Sequence, residues 1–268
     1  FFVEGDPQAI LVVEFLRDSK EEIVELAKEM ENLMRSKNLG YHFPIVWGED
    51  TNKVWNLRKA GLGLLSNIPG DAKAVAVIED TAVDVNDLPD FIEDFNAVLK
   101  ERNLSCVHYA HAATGELHLR PIIDLKTKEG TALFRTIATD IAHLVKKYKG
   151  SLSGEHGDGR LRGEFIPLML GEEIYQMFIQ VKNTWDPWGI FNPGKIVNTP
   201  PMDTNLRYNP GQDTPMPDTY FDFSENNGIV RAAEMCNGSG DCRKTEKSGG
   251  TMCPSYMATR DEKHTTRA

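Results

Sequence analysis

Two periodicities divide the chain. Over residues 19–35 apolar side chains recur at Ile23, Val24, Leu26, Ala27, Met30, Leu33 and Met34. That is the three-to-four spacing of one helical face, and Ser19 is placed to cap it. Residues 53–65, 87–102, 127–149 and 167–184 repeat the pattern. Pro89 falls in the first turn of the 87–102 segment, where proline is tolerated, and Gly150 ends the 127–149 segment. Shorter runs carry the strand signature. Residues 9–14 (AILVVE) and 74–79 (AVAVIE) read as buried strands, and 105–111 and 116–123 as the arms of a hairpin turning at Thr114-Gly115. Strands and helices alternate irregularly, so the pattern predicts an α+β fold, a mainly antiparallel sheet with helices on one face, rather than a doubly wound one.

DPWG at 186–189 and NPGK at 192–195 close this region as successive turns, which sets a first domain over 1–198. Residues 199–227 lose all helical period and fill with Pro, Asp, Thr and Asn, the composition of a linker or a surface-wrapped segment. A second module starts at 228 and is cut short at Ala268. The opening, FFVEGDPQAI, lacks the basic and apolar regions of a signal peptide and reads as cut from a longer chain.

The net charge of −10 over 268 residues argues against non-specific nucleic-acid binding, which needs a basic face. No apolar run reaches the ~20 residues that span a bilayer. A cytoplasmic protein is expected, with peripheral membrane association and homo-oligomerisation left open. Cysteines at 106, 236, 242 and 253 are too few and too unevenly spread for an extracellular disulfide scaffold.

The chemistry concentrates in HAATGELH at 111–118 and SGEHGDGRLRGEF at 153–165. His111 and His118 flank the expected turn, and a hairpin sets such residues opposite each other if the register pairs them. With Glu155 they would make a His₂Glu set with an open position, the ligand pattern of catalytic zinc. On spacing alone, hydrogen-bonded hairpin histidines fit equally well. His156 is then free for general-base work, and Gly154 and Gly157 permit close approach of a flat ligand. Asp158, Arg160, Arg162 and Glu164 read as a charged exposed rim. Arg58 and Lys73 could grip a substrate carboxylate, although each alone fits a surface cation better. Arg120 shares its strand face with His118.

Cys236, Cys242 and Cys253, the last followed by Pro254, suggest ligation. A Cys-Pro ending occurs in ferredoxin-type iron–sulfur sites, but intervals of five and ten residues depart from that spacing, and a zinc knuckle is the alternative. Cys106 reads as a small buried hydrophobe.

In order, VWNLRKAGLG (54–63), EDTAV (79–83), HAATGELHLRP (111–121), SGEHGDGRLRGEF (153–165) and DPWGIFNPGKIV (186–197) resemble the FAD-linked oxidase C-terminal domain. That family includes D-lactate dehydrogenases, glycolate oxidase flavoprotein subunits and D-2-hydroxyglutarate dehydrogenases. The resemblance covers roughly 1–197, while 228–268 resembles the start of the ferredoxin-like module in large bacterial FAD/iron–sulfur fusions. It implies a cap packed on an FAD-binding domain of the same polypeptide. It also implies a divalent metal, usually zinc, on His111, His118 and Glu155, with His156 as base and Arg58 and Lys73 at the substrate carboxylate; Arg120, which strand alternation turns towards the substrate, stands where some D-2-hydroxyglutarate dehydrogenases have Asn. Asn192 and Lys195 would lie towards the flavin. The implied reaction is oxidation of a D-2-hydroxy acid, with electrons leaving through FAD to a 4Fe-4S cluster and a downstream acceptor. Such a fragment alone should be inactive. Rival readings of the same residues are a metal-dependent hydrolase and a non-catalytic docking domain. A flavoenzyme for non-redox carbon–oxygen exchange is a third, disfavoured by the cysteine tail.

Overall fold

Ser19 does cap the first helix: its hydroxyl accepts the Glu22 amide at 3.2 Å, and α1 runs Lys20–Ser36. The computed structural model describes residues 2–236, 240–248 and 252–265, apart from the side chains of residues 62 and 66. Of the module expected over 228–268, positions 237–239, 249–251 and 266–268 lie outside the described residues. The chain divides into two units, 1–62 and 63–268.

In the first unit α1 is followed by α2, Thr51–Leu64, which reaches the boundary. The apolar stripe of α1 holds no fully buried residue. Ile23, Met30 and Met34 instead line an apolar hollow of about 730 Å³ with Val12, Phe43 and Trp55. The strand expected over 9–14 does not form. Its residues carry no regular element and are exposed, Leu11 at 64%, and no strand ladder of the described residues includes them. A strand needs a partner for its amides, and an apolar run cannot supply one by itself.

The second unit is built on β4, Glu116–Ile123, the middle strand of a four-stranded antiparallel sheet. β3, Cys106–His111, pairs along one edge, and β1, Lys73–Ala74, and β2, Ile78–Ala82, follow one another along the other. The expected hairpin is present. Gly115 turns it at φ 73°, and a Cβ there would meet the Val83 carbonyl oxygen at 1.9 Å. The single strand expected over 74–79 is broken and shifted, for a reason visible in the register. Lys73 faces Ile123 and Ile78 faces Leu119, one residue more on the edge than on β4. A second extra residue, Asp80, falls between Glu79, opposite His118, and Thr81, opposite Leu117.

β4 alternates. Leu117 and Leu119 face a core with Phe91, Phe95 and Leu99 of α3 (Leu88–Glu101) and Phe134, Ile137, Ile141 and Val145 of α4 (Lys128–Lys147). Full burial of each large side chain is worth about 1.5–3 kcal/mol, enough to hold the alternation in one register. The opposite face presents Glu116, His118 and Arg120, so helices on one side leave the other for polar chemistry. The helix expected over 167–184 is two, α5 (Ile166–Leu170) and α6 (Glu172–Trp185). They are separated by Gly171, whose φ of 90° and ψ of 157° are not helical. Residues 199–223 carry no helix or strand, yet Met202 is buried in the core and Leu206 packs against it. Two short helices, α7 (Ile229–Glu234) and α8 (Pro254–Thr259), follow.

Candidate functional site

The polar face of the hairpin is roofed by the loop that follows α4. His118 lies at its centre, 2% exposed, stacked on Tyr109 (centroids 4.8 Å) beneath it and on His156 (5.4 Å) from the loop. Its two ring nitrogens have different neighbours. Nε2 points at Glu155 Oε1, 3.6 Å away, and Glu116 Oε1, 3.8 Å away, while Nδ1 faces Glu79 Oε1 at 3.8 Å. His156 Nε2 lies 3.1 Å from Glu155 Oε1. Asp80, His118, Glu155 and His156 each offer a ligand atom within 4.8 Å of the others.

His111 pairs across the hairpin with Glu116, and His118 with Tyr109, so the two histidines are diagonal rather than opposite. They share a face, with ring centroids 5.4 Å apart and nearly perpendicular planes. The register differs from the simplest expectation because the turn closes on the His111–Glu116 pair. His111 therefore stands at the margin of the four-residue group.

Arg120 shares the face of His118, and its guanidinium is engaged: Nη2 lies 2.6 Å from Glu79, which also accepts the Tyr109 hydroxyl at 2.9 Å. Lys73 pairs with Ile123, five residues along β4 from His118 or about 17 Å. Its ammonium donates to the Ile68 carbonyl. Arg58 belongs to α2 in the first unit. Gly154 and Gly157 lie in the roofing loop, and Asn192 and Lys195 are exposed in the turns after α6. Cys236, Cys242 and Cys253 form no disulfide among the described residues, and Cys253 is buried with its Sγ 3.3 Å from the His264 carbonyl. Cys106, half buried, has its thiol pushed up to about 12 by burial.

Four groups were not singled out from sequence. Glu79, Asp80 and Glu116 are buried carboxylates. Arg162, expected on an exposed rim, is 8% exposed and donates to the carbonyls of Glu79 (2.7 Å) and Gly157 (2.9 Å). Buried charge of this kind is uncommon without a partner. The EDTAV run carried two acids, but nothing in its pattern placed them inward.

The electrostatics favour a cation. Four carboxylates, Glu79, Asp80, Glu116 and Glu155, gather here, and the fixed positive charges seen against them among the described residues are Arg120 and Arg162. Burial pushes His118 down from its ordinary value, which keeps the ring neutral and fit to ligate. Burial, the hydrogen bond to Asp80 and the charge of Glu155 push Glu116 up. Asp80 is held down despite its burial, because the Ser153 hydroxyl and the loop amides favour its charged form. Buried side-chain atoms with no hydrogen-bond partner among the described residues are Thr81 Oγ1, Glu116 Oε1, His118 Nδ1, Arg120 Nε and Arg162 Nε. All five belong to this cluster or the strand bearing it. Two zinc ligands at ordinary bond lengths stand about 3.3 Å apart across a tetrahedral ion. The 3.6 Å between His118 Nε2 and Glu155 Oε1 fits such a group.

An antiparallel sheet covered by helices on one face, with a histidine–carboxylate centre on the other, defines a metal-suited α+β domain. Residues 2–196 match the family model of FAD linked oxidases, C-terminal domain, and the chain belongs to that family. It is 33% identical over 282 residues to a D-2-hydroxyglutarate dehydrogenase of Pseudomonas putida, covering 99% of this chain and 27% of that protein. With the Escherichia coli D-2-hydroxyglutarate dehydrogenase it shares 32% over 271 residues, 96% of this chain and 25% of that one. With a mitochondrial D-lactate dehydrogenase [cytochrome] of Arabidopsis thaliana it shares 29% over 164 residues, 60% and 28% of the two. The chain thus spans about a quarter of the length of the D-2-hydroxyglutarate dehydrogenases it matches. No helix among the described residues is long and apolar enough to cross a membrane.

Proposed function

We propose that this chain is the substrate- and metal-binding portion of an FAD-dependent dehydrogenase oxidising a D-2-hydroxy acid to the 2-oxo acid. The substrate is of the D-lactate, glycolate or D-2-hydroxyglutarate type. The observation that carries the reading is the convergence of exposed Glu155 and His156 on buried His118, within a domain of this family. His118, Glu155 and the neighbouring His111 are the residues to hold a divalent metal, zinc by the chemistry of the set. When bound, that ion supplies Lewis acidity to the substrate hydroxyl, and the flavin is the electron acceptor.

The chain's own residues divide the remaining work. His156 is 45% exposed on its side chain, with Nδ1 turned to Asp80 at 4.0 Å. Nε2, on the Glu155 side, is therefore the atom to take the hydroxyl proton. Arg58 is assigned to the substrate carboxylate, together with Lys73 if that side chain leaves the Ile68 carbonyl. Arg120 acts by holding Glu79 behind His118. The flavin domain docks on an apolar stripe of α6, where Ile174, Met177, Val181 and Trp185 are 40–82% exposed. Trp188 and Phe191 extend the stripe towards Asn192 and Lys195. Cys236, Cys242 and Cys253 supply part of a 4Fe-4S site, and a fourth ligand must come from elsewhere.

The test uses the full-length protein. Anaerobic flavin reduction by a panel of D-2-hydroxy acids, with and without chelator, identifies the substrate and the metal requirement. His156→Ala should abolish reduction while flavin and metal stay bound. Reduction at near wild-type rate in that variant, or turnover that ignores the chelator, would sink the assignment.

A further inference from the structure

We infer that Asp80 is the positioning residue of this site, the group that aims both Glu155 and His156, and not a metal ligand despite its place among the four gathered side chains. The inference rests on the proposed roles of those two residues. Asp80 is the bulged residue of β2, wholly buried, with φ 78° in the left-handed region. Consecutive residues of a regular strand point to opposite faces. The bulge lets Glu79 stand behind His118 while Asp80 reaches the loop.

Every residue from 153 to 156 bonds to it. Its carboxylate accepts the Ser153 hydroxyl at 2.5 Å and the amides of Glu155 and His156 at 2.9 Å each, and its carbonyl accepts the Gly154 amide at 2.7 Å. Glu116 makes a further hydrogen bond to the carboxylate, and the Arg162 guanidinium stands 3.6 Å from Oδ2. A carboxylate has about four lone-pair sites. Ser153, Glu155 and His156 occupy three of them, and the Glu116 carboxyl and the Arg162 guanidinium crowd the fourth. Two consecutive loop side chains enter one site because their amides are tied to one carboxylate. The other ties of the loop lie outside 154–156: the Ser151 hydroxyl bonds Ser153, Arg162 bonds the Gly157 carbonyl and the Ile196 amide bonds the Gly159 carbonyl.

Asp80→Ala and the isosteric Asp80→Asn, in the full-length protein, test this. Flavin reduction should slow by about 10–100-fold, with Asn milder than Ala. The pH profile of that step should change, because the His156 ring is no longer held. Amide exchange at 154–156 should speed up in both variants. The absorption spectrum of the cobalt-substituted protein should keep its wild-type shape, since the ligands are unchanged. An altered cobalt spectrum with unchanged exchange would make Asp80 a ligand and overturn the inference, and so would wild-type exchange and rate together. The exchange measurement needs neither metal nor turnover, so it still decides the anchoring if the proposed reaction proves wrong.

Discussion

The second unit contains two charge clusters, each gathered round one buried side chain, Lys126 or His118, and they are built on opposite principles. One joins Lys126, just past β4, to Asp71 (2.8 Å), Thr214 (2.9 Å) and Glu234 (2.6 Å), with Arg231 forking onto both oxygens of Asp71. Two cations meet two anions, and no side-chain atom of the group is among the buried unpartnered ones. The other gathers four carboxylates around His118 against two arginines and contains unpartnered buried atoms. Unmet polar atoms are expensive inside a protein, and a fold tolerates them where something else completes the set. The Lys126 cluster is finished by the chain itself and fastens residues 208–234 to the end of the sheet. Under the proposed function, a cation finishes the His118 cluster.

This contrast is sharpest if Lys126 is removed. Lys126→Met deletes the ammonium from a side chain 9% exposed and leaves Asp71 with one partner and Glu234 with none of the bonds described. Breaking a buried pair in this way should cost about 3 kcal/mol in urea unfolding of the full-length protein. Zinc content should not change. A loss under about 1 kcal/mol, or loss of zinc with stability intact, would show that the two clusters are not separable.

Acid should separate them further. Hydrogen bonding by Arg231 and Lys126 holds Asp71 at about 2, below its ordinary 3.8. A carboxylate depressed in the folded state contributes stability that is complete above the unfolded value and is lost as pH falls through the folded one. The contribution should fade between about pH 4 and pH 2. Its size is about 1–2 kcal/mol, once the shift is discounted for a side chain 24% exposed. Asp71→Asn should flatten that limb of the urea-midpoint profile. An acid limb unchanged in the variant would place the loss elsewhere.

How far these clusters could be read in advance follows from what sets each position. Ser19 caps its helix as local chemistry predicts, and the hairpin turns at Gly115 as its composition predicts. Alternation put Arg120 on the His118 face, because strand period needs no knowledge of the partner. The glycine-rich loop pointed to Glu155 and His156 before the resemblance did, while at His111 and His118 spacing alone left ordinary hairpin histidines equally plausible. Asp80 was out of reach, since which residue of β2 is extra depends on how that strand pairs with β4. The inward turn of Glu79, Glu116 and Arg162 has the same origin: a charged residue is buried only by partners distant in sequence. The apolar run at 9–14 fails for the converse reason, having the composition of a strand and no ladder. The Lys126 cluster joins residues up to 163 positions apart, from Asp71 to Glu234, and no local pattern announces it.

The smallest effect carries the opposite sign. Glu116 is 7% exposed, its Oε1 has no hydrogen-bond partner, and it shares a hydrogen bond with Asp80 among three other carboxylates. Glu116→Gln keeps the shape and can donate to Asp80 at every pH, while removing the negative charge that the carboxyl, pushed up to about 7, carries when ionised. In chelator, the metal-free protein should gain about 1 kcal/mol, because the uncompensated charge is worth more removed than kept. In the same variant zinc should bind more weakly, since the surplus of carboxylates is what attracts it. Thermal unfolding with and without chelator reads both effects in one experiment. If Glu116→Gln destabilises the metal-free protein as Lys126→Met does, the His118 cluster is finished without a cation, and the distinction between the two clusters fails.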